Sequence, residues 1–194
     1  VCISVVLGRE INPLEPRFFT VHDNTQVARI EQFAINLKNG IIPPRLAPNF
    51  SHDHSMPVFT FYAPFSYWLG GILSFFMSPA FALKALFFAG LILTFPSMFV
   101  LSSHLFSFWG GIVSASVYTS SLWMAVEIFV RGNLGEIWFM ALFPLAVYCI
   151  LSLSRKITSW RFMMGIITLS ALFTVHNVLS LLSLPILLGL VLLI

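Results

Sequence analysis

PAFALKALFFAGLILTFPSMFVL, residues 79–101, holds a single charge in 23 residues. An α-helix needs about 20 consecutive apolar residues to cross the hydrocarbon core of a bilayer, so this stretch reads as a transmembrane helix. Working outward, comparable apolar runs occupy residues 58–77, 107–126, 134–153, 162–175 and 179–194. The expected fold is therefore all-α: a polytopic transmembrane bundle over residues 58–194, preceded by residues 1–57 as an anchor remnant and an extramembrane loop. Composition agrees, at 58% hydrophobic and 9% charged residues, against roughly 25% charged in a soluble domain. Twenty-one Phe and five Trp suit lipid-facing and interfacial positions.

The net charge of +3 is small and its bases are dispersed, which gives no footprint for nucleic acid. Cys2 and Cys149 form neither a CxxC pair nor a metal-ligand spacing. The chain begins at Val1 and stops inside SLPILLGLVLLI. Both ends read as cut, with residues 1–7 as the tail of a first helix or signal anchor and the whole as the N-terminal part of something longer. Pro13 and Pro16 forbid a helix continuing from that tail.

The main polar interval is HDNTQVARIEQFAINLKNGIIPPRLAPNFSHDHSMPVFTFYAP, residues 22–64. Within it Val27, Ile30, Phe33, Ala34 and Leu37 recur on one helical face, with Arg29, Glu31, Gln32, Asn36 and Lys38 off it. Gly40 fits the position just past that helix, and Pro43-Pro44 prevents its continuation. A short amphipathic helix beside membrane spans lies in the interface plane or docks on the bundle.

Sidedness is contradictory at this level. Arg155, Lys156 and Arg161 share one short loop without an acid, which marks it cytoplasmic. Counting back places Glu127–Glu136 outside. If every apolar run crosses, the loop from His22 to Pro57 lands inside. It lands outside if residues 58–77, whose first half is rich in Pro and Tyr, do not cross alone.

Four groups carry potential chemistry. His22-Asp23 sets a carboxylate beside an imidazole, a pairing fit for a general base; equally, Asp23 stands where an N-cap belongs, with Gln26 three residues on. His52 and His54 flank Asp53 and project together from an extended segment. With His22 and Asp23 they could offer N and O ligands to a divalent metal ion, or form a solvated loop. Glu127, Arg131 and Glu136 lie near a span end: an ion pair at i, i+4, or a guanidinium presented to a phosphate. His176-Asn177, between apolar runs, either bonds neighbouring helices or lines a cavity. His104 reads as interfacial.

Taken together, FFTVHDNTQVARIEQFAINLKNGIIPPRLAPNF, MPVFTFYAPFSYWLGGIL, VRGNLGEIWFMALFPLAVY and VHNVLSLLSLP resemble a bacterial family of polytopic membrane proteins labelled 6-pyruvoyl-tetrahydropterin-synthase-related. That family is similar to the GT-C superfamily of integral-membrane glycosyltransferases. The resemblance implies a protein of the bacterial cytoplasmic membrane. It would move a sugar from a polyprenyl-phosphate donor to an envelope acceptor at the extracytoplasmic face, with membrane lipid and the lipid-linked sugar as its partners. It implies Asp23 as catalytic base or metal ligand, and His22, Arg45, Arg131, Glu136, His176 and Asn177 as substrate-binding residues. The family's Gly-Tyr-Gly-like stretch is replaced here by HDHSM, residues 52–56, which leaves a metal role for His52, Asp53 and His54 open. The rival expectation is a non-enzymatic protein that transports or assembles lipid-linked envelope intermediates.

Overall fold

The computed structural model describes residues 6, 8–12 and 21–194. Cys2, Pro13, Pro16 and the expected anchor tail apart from Val6 lie outside the described residues. Among the described residues the chain is all-helical, with no strand and one isolated bridge, Ala47 to Met56. The helices used below are α1 (Gln26–Lys38), α2 (Phe65–Leu73), α3 (Pro79–Leu105), α4 (Phe108–Thr119), α5 (Leu122–Val126), α6 (Leu134–Arg155), α7 (Ser159–Val175) and α8 (Asn177–Leu193). A π-helical turn, Glu127–Arg131, extends α5.

Among the described residues three segments, not six, are long and apolar enough to cross a membrane: Pro79–Leu105, Phe108–Arg131 and Leu134–Arg155. Residues 58–77 do not form one helix. They give a single turn, Val58–Phe61, and the 9-residue α2, because Pro64 cannot donate a helical hydrogen bond and restricts Ala63 before it. Helices α7 and α8 have 17 residues each, about 25 Å at 1.5 Å per residue.

The bundle keeps an apolar core but also turns large apolar side chains outward. Helix α8 buries Ser180 and Ser183 while Leu181, Leu182 and Ile186 are exposed. Between α3 and α4, the buried hydroxyls of Thr94 and Thr119 lie 3.2 Å apart. Small polar side chains inward and large apolar ones outward are what a helix bundle in lipid requires, since lipid rewards no apolar burial.

Helix α1 docks on the bundle rather than standing free. Ile30, Phe33 and Ala34 are buried, and Val27 and Leu37 pack against the same core. The contact depends on Gly70 and Gly71 of α2, where a methyl group would strike Ile30 and Phe33. Phe33 also meets Phe59 and Trp68 edge-on, at ring-centre separations of 4.9 and 5.3 Å. Gly40 has φ +73°, the left-handed conformation expected just past a helix end.

Chain direction alternates along α3, α4–α5, α6, α7 and α8 through short connections. The breaks at Gly132–Asn133 and at His176 therefore share one end of the bundle, and Arg155–Arg161 lies at the other. The His22 N–H donates to the Val130 carbonyl at 2.8 Å and the Asp23 N–H to the Arg131 carbonyl at 3.0 Å. This pairing puts residues 22 and 23 at the first end, opposite Arg155–Arg161.

Candidate functional site

That end holds a cavity of about 560 Å³. Its walls include His22, Asp23, Thr25, Gln26 and Arg29 from the cap, Tyr62 and Tyr67 from the segment after it, Arg131 from the π-helical turn, and His176 and Asn177 from the α7–α8 break. A π-helical turn inside an α-helix is often found at functional sites.

The glycines show why these segments meet. Gly132 has φ +66°, and a methyl group there would collide with Val21. Gly135 sits against the Val175 carbonyl oxygen, 2.9 Å from where its Cβ would stand. Gly132 thus meets the Val21 side chain, and Gly135 meets the Val175 backbone. No larger residue fits without a shift.

The first cluster centres on Asp23. Its Oδ1 accepts from Thr25 Oγ1 at 2.6 Å, and its Oδ2 from Gln26 Nε2 at 2.7 Å and Arg29 Nη1 at 3.2 Å. The capping expectation needs correction: Thr25 occupies the N-cap of α1, and no side chain bonds the helix's first amides. Three side-chain donors compete successfully for the Asp23 carboxylate. Arg29 is the residue that sequence reasoning missed. Its Nη1 lies 3.5 Å from the Tyr67 hydroxyl, its Nη2 donates to the Tyr62 hydroxyl at 3.4 Å, and its guanidinium stacks 4.4 Å over the Tyr62 ring. Tyr67 donates to Gln26 Oε1 at 3.3 Å, closing a ring of bonds. Burial pushes the Tyr67 phenol up to about 12, so it stays a donor. Burial works to lower the Arg29 pKa, but Tyr67 and Asp23 outweigh it and hold the guanidinium above its ordinary value.

The second cluster centres on Arg131. Its Nη1 donates to Glu127 Oε1 at 2.6 Å and to Glu136 Oε2 at 3.2 Å. Asn133 caps α6 by accepting from the Glu136 N–H, and its amide donates to Glu136 Oε1 at 2.8 Å. The Glu127–Arg131 ion pair is therefore real, and the side chain of Arg131 keeps 43% of its surface open while that of Glu127 has none. Trp123 lies 6.0 Å from the guanidinium.

His176 is both a helix cap and a cavity wall. Its Nδ1 accepts from the Leu179 N–H at 3.2 Å, so the proton sits on Nε2, which lies 3.8 Å from Glu136 Oε1. Burial depresses the His176 pKa against the pull of Glu136, and Arg131 depresses it further. With Nδ1 engaged and Nε2 protonated, the imidazole has no lone pair left for a base. Asn177 bonds across to the Phe61 carbonyl.

Two groups of expected site residues stay outside. Arg45 is exposed, and its backbone carbonyl, not its guanidinium, is engaged, by the Phe59 N–H. His52, Asp53 and His54 are exposed and absent from the cavity wall. Ser51, His52 and Asp53 take positive φ values of 57°, 55° and 65°, so the extended geometry that would align the two imidazoles is replaced by a left-handed turn. Among the described residues no three His, Cys, Asp or Glu side chains converge on a metal-sized site, and the residues present do not fit the divalent ion considered above. His104 faces Tyr148, 5.2 Å ring to ring, at the opposite end. Cys149 is buried and, among the described residues, pairs with no other cysteine.

Compared with known proteins, the chain matches no family model, no curated protein and no solved structure.

Proposed function

We propose that this chain is a GT-C-like membrane glycosyltransferase, transferring a sugar from a polyprenyl-phosphate donor to an envelope acceptor. One observation carries the reading. Five of the residues that the family resemblance implies, His22, Asp23, Arg131, His176 and Asn177, line one cavity, with Glu136 bonded to Arg131 beside it. The cavity opens at the bundle end opposite Arg155, Lys156 and Arg161, which the positive-inside rule assigns to the cytoplasm. On that reading it faces the extracytoplasmic side of a bacterial cytoplasmic membrane.

The roles divide as follows. Asp23 has Oδ2 filled by two donors and Oδ1 by one; Oδ1 keeps a lone pair that takes the acceptor hydroxyl's proton as that oxygen attacks the anomeric carbon. The bond from that carbon to the phosphate breaks, and the departing polyprenyl phosphate takes the electron pair. Arg131, whose bonds to Glu127 and Glu136 run through Nη1, turns its remaining donors to the leaving phosphate. Arg45 drops out of that role. No step is routed through a metal.

Asp23→Asn tests this directly. Transfer from lipid-linked sugar by purified protein falls by roughly 10²-fold or more if Asp23 is the general base. Wild-type rates in that variant exclude it. The non-enzymatic reading gains from one observation: Asp23, Glu127 and Glu136 are all already engaged by donors. It predicts lipid-linked sugar moved between leaflets and never consumed.

A further inference from the structure

Beside the cap, the corner between α2 and α3 exposes large apolar side chains. Ile72, Phe75 and Phe76 are 48%, 50% and 82% exposed. The corner is tightly wound: the N–H groups of Phe76 and Met77 both donate to the Leu73 carbonyl. Immediately afterwards Ser78 caps α3 and Pro79 begins a segment able to cross a membrane. The exposed rings therefore sit immediately before the first segment able to cross a membrane. From α1, the Lys38 ammonium lies 5.9 Å over the Phe75 ring, and Leu37 packs beside Gly71. Rings below a long cationic side chain match the layering of a leaflet, with acyl chains beneath phosphates. Soluble surfaces seldom gather such a patch.

We propose that this corner is a membrane wedge. Ile72, Phe75 and Phe76 enter the acyl–headgroup boundary of the leaflet that α3 enters, and Lys38 meets the lipid phosphates above them. Because α1 packs on α2 and carries Arg29, the wedge sets the height of one cavity wall relative to the bilayer. The inference is independent of the catalytic reading.

The test uses the full chain in phosphatidylcholine–phosphatidylglycerol nanodiscs, with Cys2 and Cys149 replaced and a spin label on Phe76→Cys. Collision with oxygen reports lipid, and collision with a water-soluble nickel chelate reports water. Val113→Cys, 62% exposed on α4, is the lipid reference, and Glu31→Cys, exposed on α1, is the aqueous one. The label at residue 76 is expected to match Val113→Cys, with nickel access several-fold below Glu31→Cys. Nickel access equal to the aqueous reference overturns the proposal. So does poor access to both reagents, which would mean a second copy or another protein segment covers the corner. Phe75→Cys gives a second reading of the same outcome.

Discussion

The two ends of the bundle treat charge in opposite ways. Around the cavity, arginines and carboxylates interlock: Arg29 with Asp23, and Arg131 with Glu127 and Glu136. At the other end Arg155, Lys156 and Arg161 meet no acid among the described residues. Arg161 satisfies itself on backbone carbonyls of Ser152 and Lys156. The neighbouring groove is lined by Ile150, Leu153, Ile157 and Phe162. Like-signed charge at a span end needs only water and headgroups, and it sets orientation. Paired charge of both signs needs a built framework, and here that framework encloses a cavity.

The difference can be broken from either side. Arg131→Ala removes the guanidinium that donates to the fully buried Glu127 side chain. A buried carboxylate left without its cation costs about 3–5 kcal/mol, so unfolding in detergent should shift markedly. Arg161→Ala gives up bonds to carbonyls at a partly buried site with no acid to strand, a loss of about 1 kcal/mol. Equal losses at the two arginines would erase the distinction between the ends.

A smaller effect sharpens it. Gly132→Ala forces a left-handed residue, costing about 1–2 kcal/mol before any clash, and displaces Val21. Hydrogen exchange at the His22 and Asp23 amides should then accelerate, since their bonds to Val130 and Arg131 depend on that approach. Gly189→Ala, in α8 with nothing within 4 Å of its Cβ position, should leave the same amides unchanged.

How much of this was legible in the sequence depends on the range of the interaction. Residues 79–101 and 134–153 became the cores of α3 and α6 because hydropathy over one helix length is a local property. The amphipathic face of α1 and the Glu127–Arg131 pair at i, i+4 are local too. Asp23 and Arg131 were each singled out, but their shared backbone pairing spans more than a hundred residues, and no periodicity encodes it. Arg29 reads in the sequence only as one of several polar residues off the apolar face of α1. Only the fold reveals that Tyr62 and Tyr67 come round to meet it. The break at Pro64 was foreshadowed by the Pro- and Tyr-rich start of its run, whereas the left-handed turn at Ser51–Asp53 left no such sign.

The central claim is that the cavity opens on the face opposite the basic loop. Ser51→Cys, in the exposed part of the cap, and Ser154→Cys, at the basic end, test it in intact cells with an impermeant thiol reagent, Cys2 and Cys149 being replaced. Residue 51 is expected to label in intact cells and residue 154 only after permeabilisation. Labelling of residue 51 only after permeabilisation would put Asp23 on the cytoplasmic face, away from any envelope acceptor, and would contradict the account.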